Sequence, residues 1–212
     1  MNVLGLDISS SIVGITILNE DGMLYNKALI FKPKRCKKTK TDTPMPWFEK
    51  LDLVKQTFQE IATFANNEFT IDKLCIEDYL KMFKGGKTSA ETLFTLARFN
   101  AVVSYIARDI FKIDPTYYTV SAIRKSIGFT VPKGFVETKE YTKKDYVLDK
   151  VVEDCPTFVV RYTAKGHPEK GVYDRADSYA VAKAGLSGRC KPVEKVKRSK
   201  RDTGEPDASS DE

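Results

Sequence analysis

The sequence predicts an α/β domain, a mixed five-stranded sheet with helices on both faces. Three observations carry this. Short apolar runs bounded by turn residues recur at 2–7, 14–18, 23–31, 74–77 and 116–120. Apolar residues at helical spacing fill the intervals after residue 47. The order is three strands, then alternating helix and strand, which combines an antiparallel meander with parallel crossovers. At 212 residues the chain can bury one sizeable core.

Taken in order, residues 2–7 read as a buried strand and Gly14–Leu18 as a second. Asn19-Glu-Asp-Gly22 is a turn leading into a third strand near Met23–Phe31, since Asp-Gly between apolar runs is a hairpin signal. Residues 32–40 form a basic loop, and Pro33 argues against a central strand there. Trp47, Leu51, Val54, Phe58, Ile61 and Ala65 mark an amphipathic helix. Leu74–Glu77 is a short strand. Lys81–Thr88, with Gly85-Gly86, is a basic loop. Ser89 then caps a long helix running to about Phe111, with Leu93, Leu96, Ala97, Val103, Ile106 and Ile110 on its buried side. Thr116–Val120 is rich in strand formers. Ser121 is expected to cap a short helix ending near Gly128, and Thr142 to cap one from Lys143 to about Glu153. A final helix spans 174–185. From Arg189 onward the chain is basic, then acidic, without an apolar period. The expected division is therefore a folded domain at 1–188 and a disordered charged tail at 189–212.

The net charge of +6 suggests a polyanionic partner. No stretch approaches the roughly 20 apolar residues of a membrane span, and the chain opens directly on a strand, so a cytoplasmic protein without a membrane partner is expected. Cys36, Cys75, Cys155 and Cys190 show no Cys-x-x-Cys spacing and read as reduced thiols. A single histidine, His167, disfavours histidine-rich zinc sites and reads as a loop bystander.

Four carboxylates stand at chemically telling places. Asp7 ends the run Val3-Leu4-Gly5-Leu6, and Glu77 ends Leu74-Cys75-Ile76. Asp78 is the alternative to Glu77, which is preferred because it directly continues the strand. Asp174 and Asp177 lie three apart and share one helix face. Strand ends are where an open α/β sheet places its site. Gathered carboxylates repel, and a bound cation is the usual resolution. Oxygen ligands without His or Cys suit magnesium or manganese, and a pair of such ions cleaves phosphodiesters.

With these residues in place, the chain resembles the RuvC family of Holliday junction resolvases, within the ribonuclease-H-like fold, from Met1 to about Gly185. Leu4-Gly-Leu-Asp-Ile-Ser-Ser-Ser-Ile-Val-Gly14 is similar to the family's first strand, acidic residue and following glycine. Cys75-Ile-Glu77, Thr88–Arg98 and Asp174-Arg-Ala-Asp-Ser-Tyr-Ala-Val-Ala182 resemble its second acidic strand end, long helix and final acidic helix. Ile8-Ser9 replaces the family's usual Pro-Gly, and the loop at 32–40 and the tail look like additions, which suggests a bacteriophage or viral branch in a bacterial or infected-host cytoplasm.

The resemblance implies a magnesium-dependent, structure-selective endonuclease, with manganese as a substitute, that resolves branched DNA by paired symmetric nicks. Asp7 would bridge two ions, with Glu77 on one and Asp174 and Asp177 on the other. Lys144 would complete the catalytic set. It implies a homodimer with the long helix at its interface, and no small-molecule cofactor. Tyr79 or Phe83 would stack at the crossover. Lys81, Lys84, Lys87 and Lys125 would bind phosphate near the site, and Lys34, Arg35, Lys37 and Lys38 in the basic loop would add to them. The rival readings are an actin-like or sugar-kinase-type ATPase, which lacks a second lobe here, another ribonuclease-H-like nuclease, and a catalytically silent junction-binding module.

Overall fold

The computed structural model describes residues 1–35, 42–78 and 89–193. It begins with β1 (Val3–Ile8), β2 (Ile12–Asn19) and β3 (Gly22–Ile30). Ser9 closes the β1–β2 turn: its hydroxyl donates to the Ile12 carbonyl at 2.8 Å and accepts from the Ile12 N–H at 3.0 Å. Asn19 organises the next turn by accepting from the N–H groups of Asp21 and Gly22, as an Asx turn does. Two-residue strands β4 (Lys34–Arg35) and β5 (Asp42–Thr43) pair with each other in a separate small sheet, so Lys34 and Arg35 of the predicted basic loop are in a strand.

The helices and later strands follow as α1 (Trp47–Glu68), β6 (Lys73–Glu77), α2 (Ala90–Phe111), β7 (Thr116–Tyr118), α3 (Val120–Ser126), α4 (Lys143–Asp154) and α5 (Val172–Ser187). The main sheet has five strands in the order β3-β2-β1-β6-β7. The first three are antiparallel neighbours, while β6 runs parallel to both β1 and β7. The mixed sheet with helices on both faces is thus present.

Strand alternation sorts residues between the two faces. Leu4, Leu6, Ile8, Val13, Ile15, Ile17, Leu74 and Ile76 belong to the core under α1 and α2. Val3, Leu18 and Cys75 belong to the core shared with α3, α4 and α5. On that second face α5 comes unusually close to the sheet. A Cβ at Gly5 would lie 2.5 Å from both the Ala182 nitrogen and the Ser178 carbonyl oxygen. Polar groups fix the helix there: the buried Thr16 and Ser178 hydroxyls are 2.8 Å apart, and Asn26 donates to Thr16 at 2.6 Å and to the Arg175 carbonyl at 3.2 Å. Satisfied buried polar contacts of this kind define a single docking position.

Several boundaries differ from expectation. Thr119, not Ser121, caps α3, because its hydroxyl lies three residues before the Ala122 N–H it accepts from. α5 starts at Val172, two residues early, after Gly171 turns the chain with φ 92°. The centre of the buried side of α2 is Phe99, Asn100, Val103, Ser104 and Ala107; Leu93, Leu96, Ala97, Ile106 and Ile110 are half-buried flanks. Packing also extends past residue 188: Cys190 is buried and the Val193 N–H donates to the Tyr117 carbonyl at 2.8 Å. Residues 194–212 lie outside the described residues. Cys75, Cys155 and Cys190 are free and buried, and Cys36 lies outside the described residues. No helix among the described residues is long and apolar enough to cross a membrane.

Candidate active site

Asp7 and Glu77 reach the same edge of the sheet by register. Leu6 pairs with Ile76 in the parallel β1–β6 ladder, so the next residues on the two strands are Asp7 and Glu77. Alternation then turns both toward α5, since Gly5 and Cys75, two residues back, meet that helix. By the same alternation Asp78 falls on the opposite face, where it is buried and its N–H donates to the Tyr118 carbonyl at 2.8 Å. Glu77 is held from behind by the buried Asn100 of α2, whose amide donates to the Glu77 carbonyl at 3.3 Å.

The other two carboxylates arrive on the first turns of α5. Asp7 pairs with Gly14 across β1–β2, and at Gly14 the backbone of Asp174 presses onto the sheet. One face of α5 therefore brings Asp174 and Asp177 to the edge that carries Asp7 and Glu77. All four remain half-buried, open on one side to solvent.

The electrostatics follow from that convergence. Burial, reinforced by Glu77, Asp177 and Asp174, pushes the Asp7 carboxyl well above its ordinary value, with Lys144 opposing. Burial and the Asp177 charge push Glu77 up to about 8, against Arg124 and Lys144. Asp177 and Asp174 are also raised, chiefly by burial; Arg124 and Lys144 oppose this at Asp177, and Lys144 and Lys170 oppose it at Asp174. Asp7 and Asp177 are the most connected, since each repels all three other carboxylates.

Two cations face the cluster. Lys144, at the start of α4, lies over the Tyr173 ring at 5.7 Å. Its helix is anchored by a capping box between Thr142 and Asp145, and Tyr173 donates to Asp145. Arg124, on α3, pairs with Asp177 at 3.6 Å. Sequence reasoning singled out Lys125 and missed Arg124. The only available signal was its place on a short helix directly after β7, at the same sheet edge. Lys125 is exposed and lines a groove beside Arg124.

Arg35 is exposed on β4, in the separate two-stranded sheet, and Lys34 is its strand neighbour. Tyr79, Lys81, Phe83, Lys84, Lys87, Lys37 and Lys38 lie outside the described residues. His167 is exposed, and its carbonyl accepts from Thr163. A separate 230 Å³ depression, lined by Arg108, Asp109, Lys112 and Asp114, is at the opposite edge of the sheet and is crossed by its own ion pairs.

Among the described residues, no three His, Cys, Asp or Glu side chains form a closed ligand group. The four carboxylates instead act on one another electrostatically. Their chemistry fits a hard divalent cation: the donors are all oxygens, and their like charges are only partly offset by Lys144 and Arg124.

No family model and no curated protein sequence matches the chain. Solved structures do match its fold. The Thermus thermophilus RuvC structure aligns over 91% of this chain and 100% of its own, with a TM-score of 0.55 and 14% identity. T. thermophilus RuvC in complex with a Holliday junction substrate aligns over the same shares, with a TM-score of 0.57 and 12% identity. The yeast mitochondrial Holliday junction resolvase Ydc2 is more distant, at a TM-score of 0.47 and 12% identity over 88% of this chain and 78% of its own. At such identities the likeness establishes architecture, and the architecture of this chain is the RuvC-like form of the ribonuclease-H-like fold.

Proposed function

We propose that this chain is a structure-selective DNA endonuclease that resolves four-way junctions with magnesium, for which manganese substitutes. The observation that carries the reading is the convergence of Asp7, Glu77, Asp174 and Asp177 on one sheet edge, where burial raises all four and neighbouring carboxylates add to it at Asp7, Glu77 and Asp177. Divalent ions bound there would supply an activated water and stabilise the leaving oxygen. The chain's own residues hold and orient. Asp7, in contact electrostatically with every other carboxylate, suits the shared ligand. Glu77 suits one side, and Asp174 with Asp177 the other. Lys144 and Arg124 draw the phosphate in and offset charge as it develops.

Branched DNA as substrate is the inference from the fold, because the superposed RuvC structure is bound to a Holliday junction. Lys125, Lys34 and Arg35 would add backbone contacts. The segment 79–87 directly follows the β6 carboxylate, so Tyr79, Phe83 and their neighbouring lysines belong to the same reading. Two paired nicks need two symmetric sites, so a homodimer is part of it. α2 offers a surface: Phe94 and Tyr105 are 70% and 65% exposed and lie about three turns apart on one side. The setting would be cytoplasmic DNA recombination and repair.

The test is a panel of end-labelled four-way junctions, flaps, RNA–DNA hybrids and single strands, with and without magnesium. Metal-dependent paired cuts in the junction are expected. Cleavage of none of these, or of hybrids in preference to junctions, would remove the reading.

A further inference from the structure

A groove of about 940 Å³ opens beside the carboxylate cluster, between the start of α3 and the N-terminus of α4. That is within the roughly 300–1,000 Å³ range of binding sites for small ligands. Its wall is mostly apolar and includes the half-buried Val120 and Val131. Arg124, Lys125 and Lys143 are its charged lining residues among the described residues, and no carboxylate among them lines it. Lys143 is held only loosely by Glu137, at 3.8 Å. Arg124 is shared: it lines the groove and pairs with Asp177 at 3.6 Å, so one side chain stands between the groove and the carboxylate site.

A cationic rim over an apolar wall is an unusual surface for duplex DNA, which presents sugar and phosphate. It suits a nucleotide that has left the stack, with its base against the wall and its phosphates on the rim. We infer that this groove seats one unstacked nucleotide of the strand being cut, its base against Val120 and Val131 and its flanking phosphates on Lys125 and Lys143. Arg124 then links the seated nucleotide to Asp177. The groove would be the feature that makes cleavage depend on which base lies beside the cut. This rests on the nuclease reading above and adds a base-binding subsite to it.

The full chain is assayed on four-way junctions in which single abasic sites replace, one at a time, the nucleotides flanking the cut. With the native chain, one position should slow cleavage about tenfold. In Val120→Ser/Val131→Ser, cleavage of intact DNA should be slowed by a similar factor, and the same abasic site should then add little. No sensitive position in the native chain, or effects that simply multiply, would overturn the inference. Lys125→Gln changes an exposed residue and keeps the fold; it should reduce the salt slope of junction binding by about 0.7–0.9, and an unchanged slope would equally count against the groove. If the native chain cuts no DNA, the nuclease reading fails separately. The groove is then judged by binding of a labelled thymidine octamer against an abasic octamer. A preference for bases that disappears in Val120→Ser/Val131→Ser supports it, and equal binding rejects it.

Discussion

Gly14 and Asp174 meet backbone to backbone: a Cβ on Gly14 would stand 2.0 Å from the Asp174 carbonyl oxygen and 2.6 Å from its carbon. Because Gly14 is also the register partner of Asp7, this one approach sets how closely the α5 carboxylates come to the β1 carboxylate. Gly14→Ala must displace the first turns of α5. An added methyl in a tight site costs about 1–3 kcal/mol, and displacement near 1 Å costs roughly a hundredfold in rate. Thermal unfolding and junction cleavage should both show the effect. An alanine variant with native activity would mean that α5 docks independently of Gly14.

The cluster also makes a pH prediction. Glu77 has its carboxyl raised from an ordinary 4.5 to about 8. Between those values the folded chain keeps a proton that the unfolded chain has lost. Its stabilising contribution is therefore complete below about pH 4.5 and is lost as pH rises through about 8. Without metal, melting temperature should fall across that interval. Glu77→Gln should flatten the fall and raise the melting point near pH 8, each ~1 kcal/mol appearing as roughly 2–4 °C in a domain of this size. Magnesium at pH 8 should stabilise the native chain more than the Gln variant. Parallel profiles for the two proteins would contradict this account.

How far the site was legible depends on how local its causes are. Asp7 and Glu77 could be read because each ends an apolar run; that both turn to one face follows only from the β1–β6 register, Leu6 against Ile76. Asp174 and Asp177 could be read because their spacing is a helix property. Arg124 could not, since its pairing with Asp177 arises only when α3 swings from the end of β7 against α5. Asn100 carries no signal along the chain, and only the tertiary fold brings it to the Glu77 carbonyl. The cap of α3 was misplaced by two residues because Thr119 and Ser121 are both competent caps and hydrogen-bond geometry decides between them. The β4–β5 pairing was hidden because two-residue strands carry no periodic signal.

Asp7→Asn, Glu77→Gln and Asp177→Asn should each reduce cleavage below detection while leaving junction affinity within a few-fold. Each removes an ion ligand but leaves the groups that hold the DNA backbone in place. Gel-shift and single-turnover cleavage on the same labelled junction separate the two effects. Near-native cleavage by Asp7→Asn would dismiss the assignment, since Asp7 faces each of the other three carboxylates.

The basic segment around β4 offers an independent measurement. Replacing Lys34, Arg35, Lys37 and Lys38 with serine should weaken binding to every DNA sequence alike. The log–log salt slope should fall by about 0.9 for each duplex phosphate that the variant no longer neutralises. Titrations at several salt concentrations report it directly, and a constant slope would show that the segment does not touch DNA.

Paired nicking requires a second copy, and α2 is where the two copies are expected to meet. Phe94 and Tyr105 expose large aromatic rings on one side of this helix, while Phe99, Val103 and Ala107 on the other side are buried in the core. Aromatic side chains gathered on an exposed helical stripe are typical anchors of an interface. Phe94→Ser/Tyr105→Ser removes the anchors without touching that core, so stability should change little, within about 0.5 kcal/mol per exposed site. Light scattering should then give a dimer for the native chain and a monomer for the variant. The functional readout is stricter than mass. On a supercoiled plasmid carrying an extruded cruciform, two coordinated cuts yield a linear product, whereas a lone site yields nicked circles. The native chain should linearise the plasmid and the variant should stop at nicked circles, with its metal requirement unchanged. A native chain that is monomeric both free and on the junction, or a variant that still linearises, would place the symmetry elsewhere than α2.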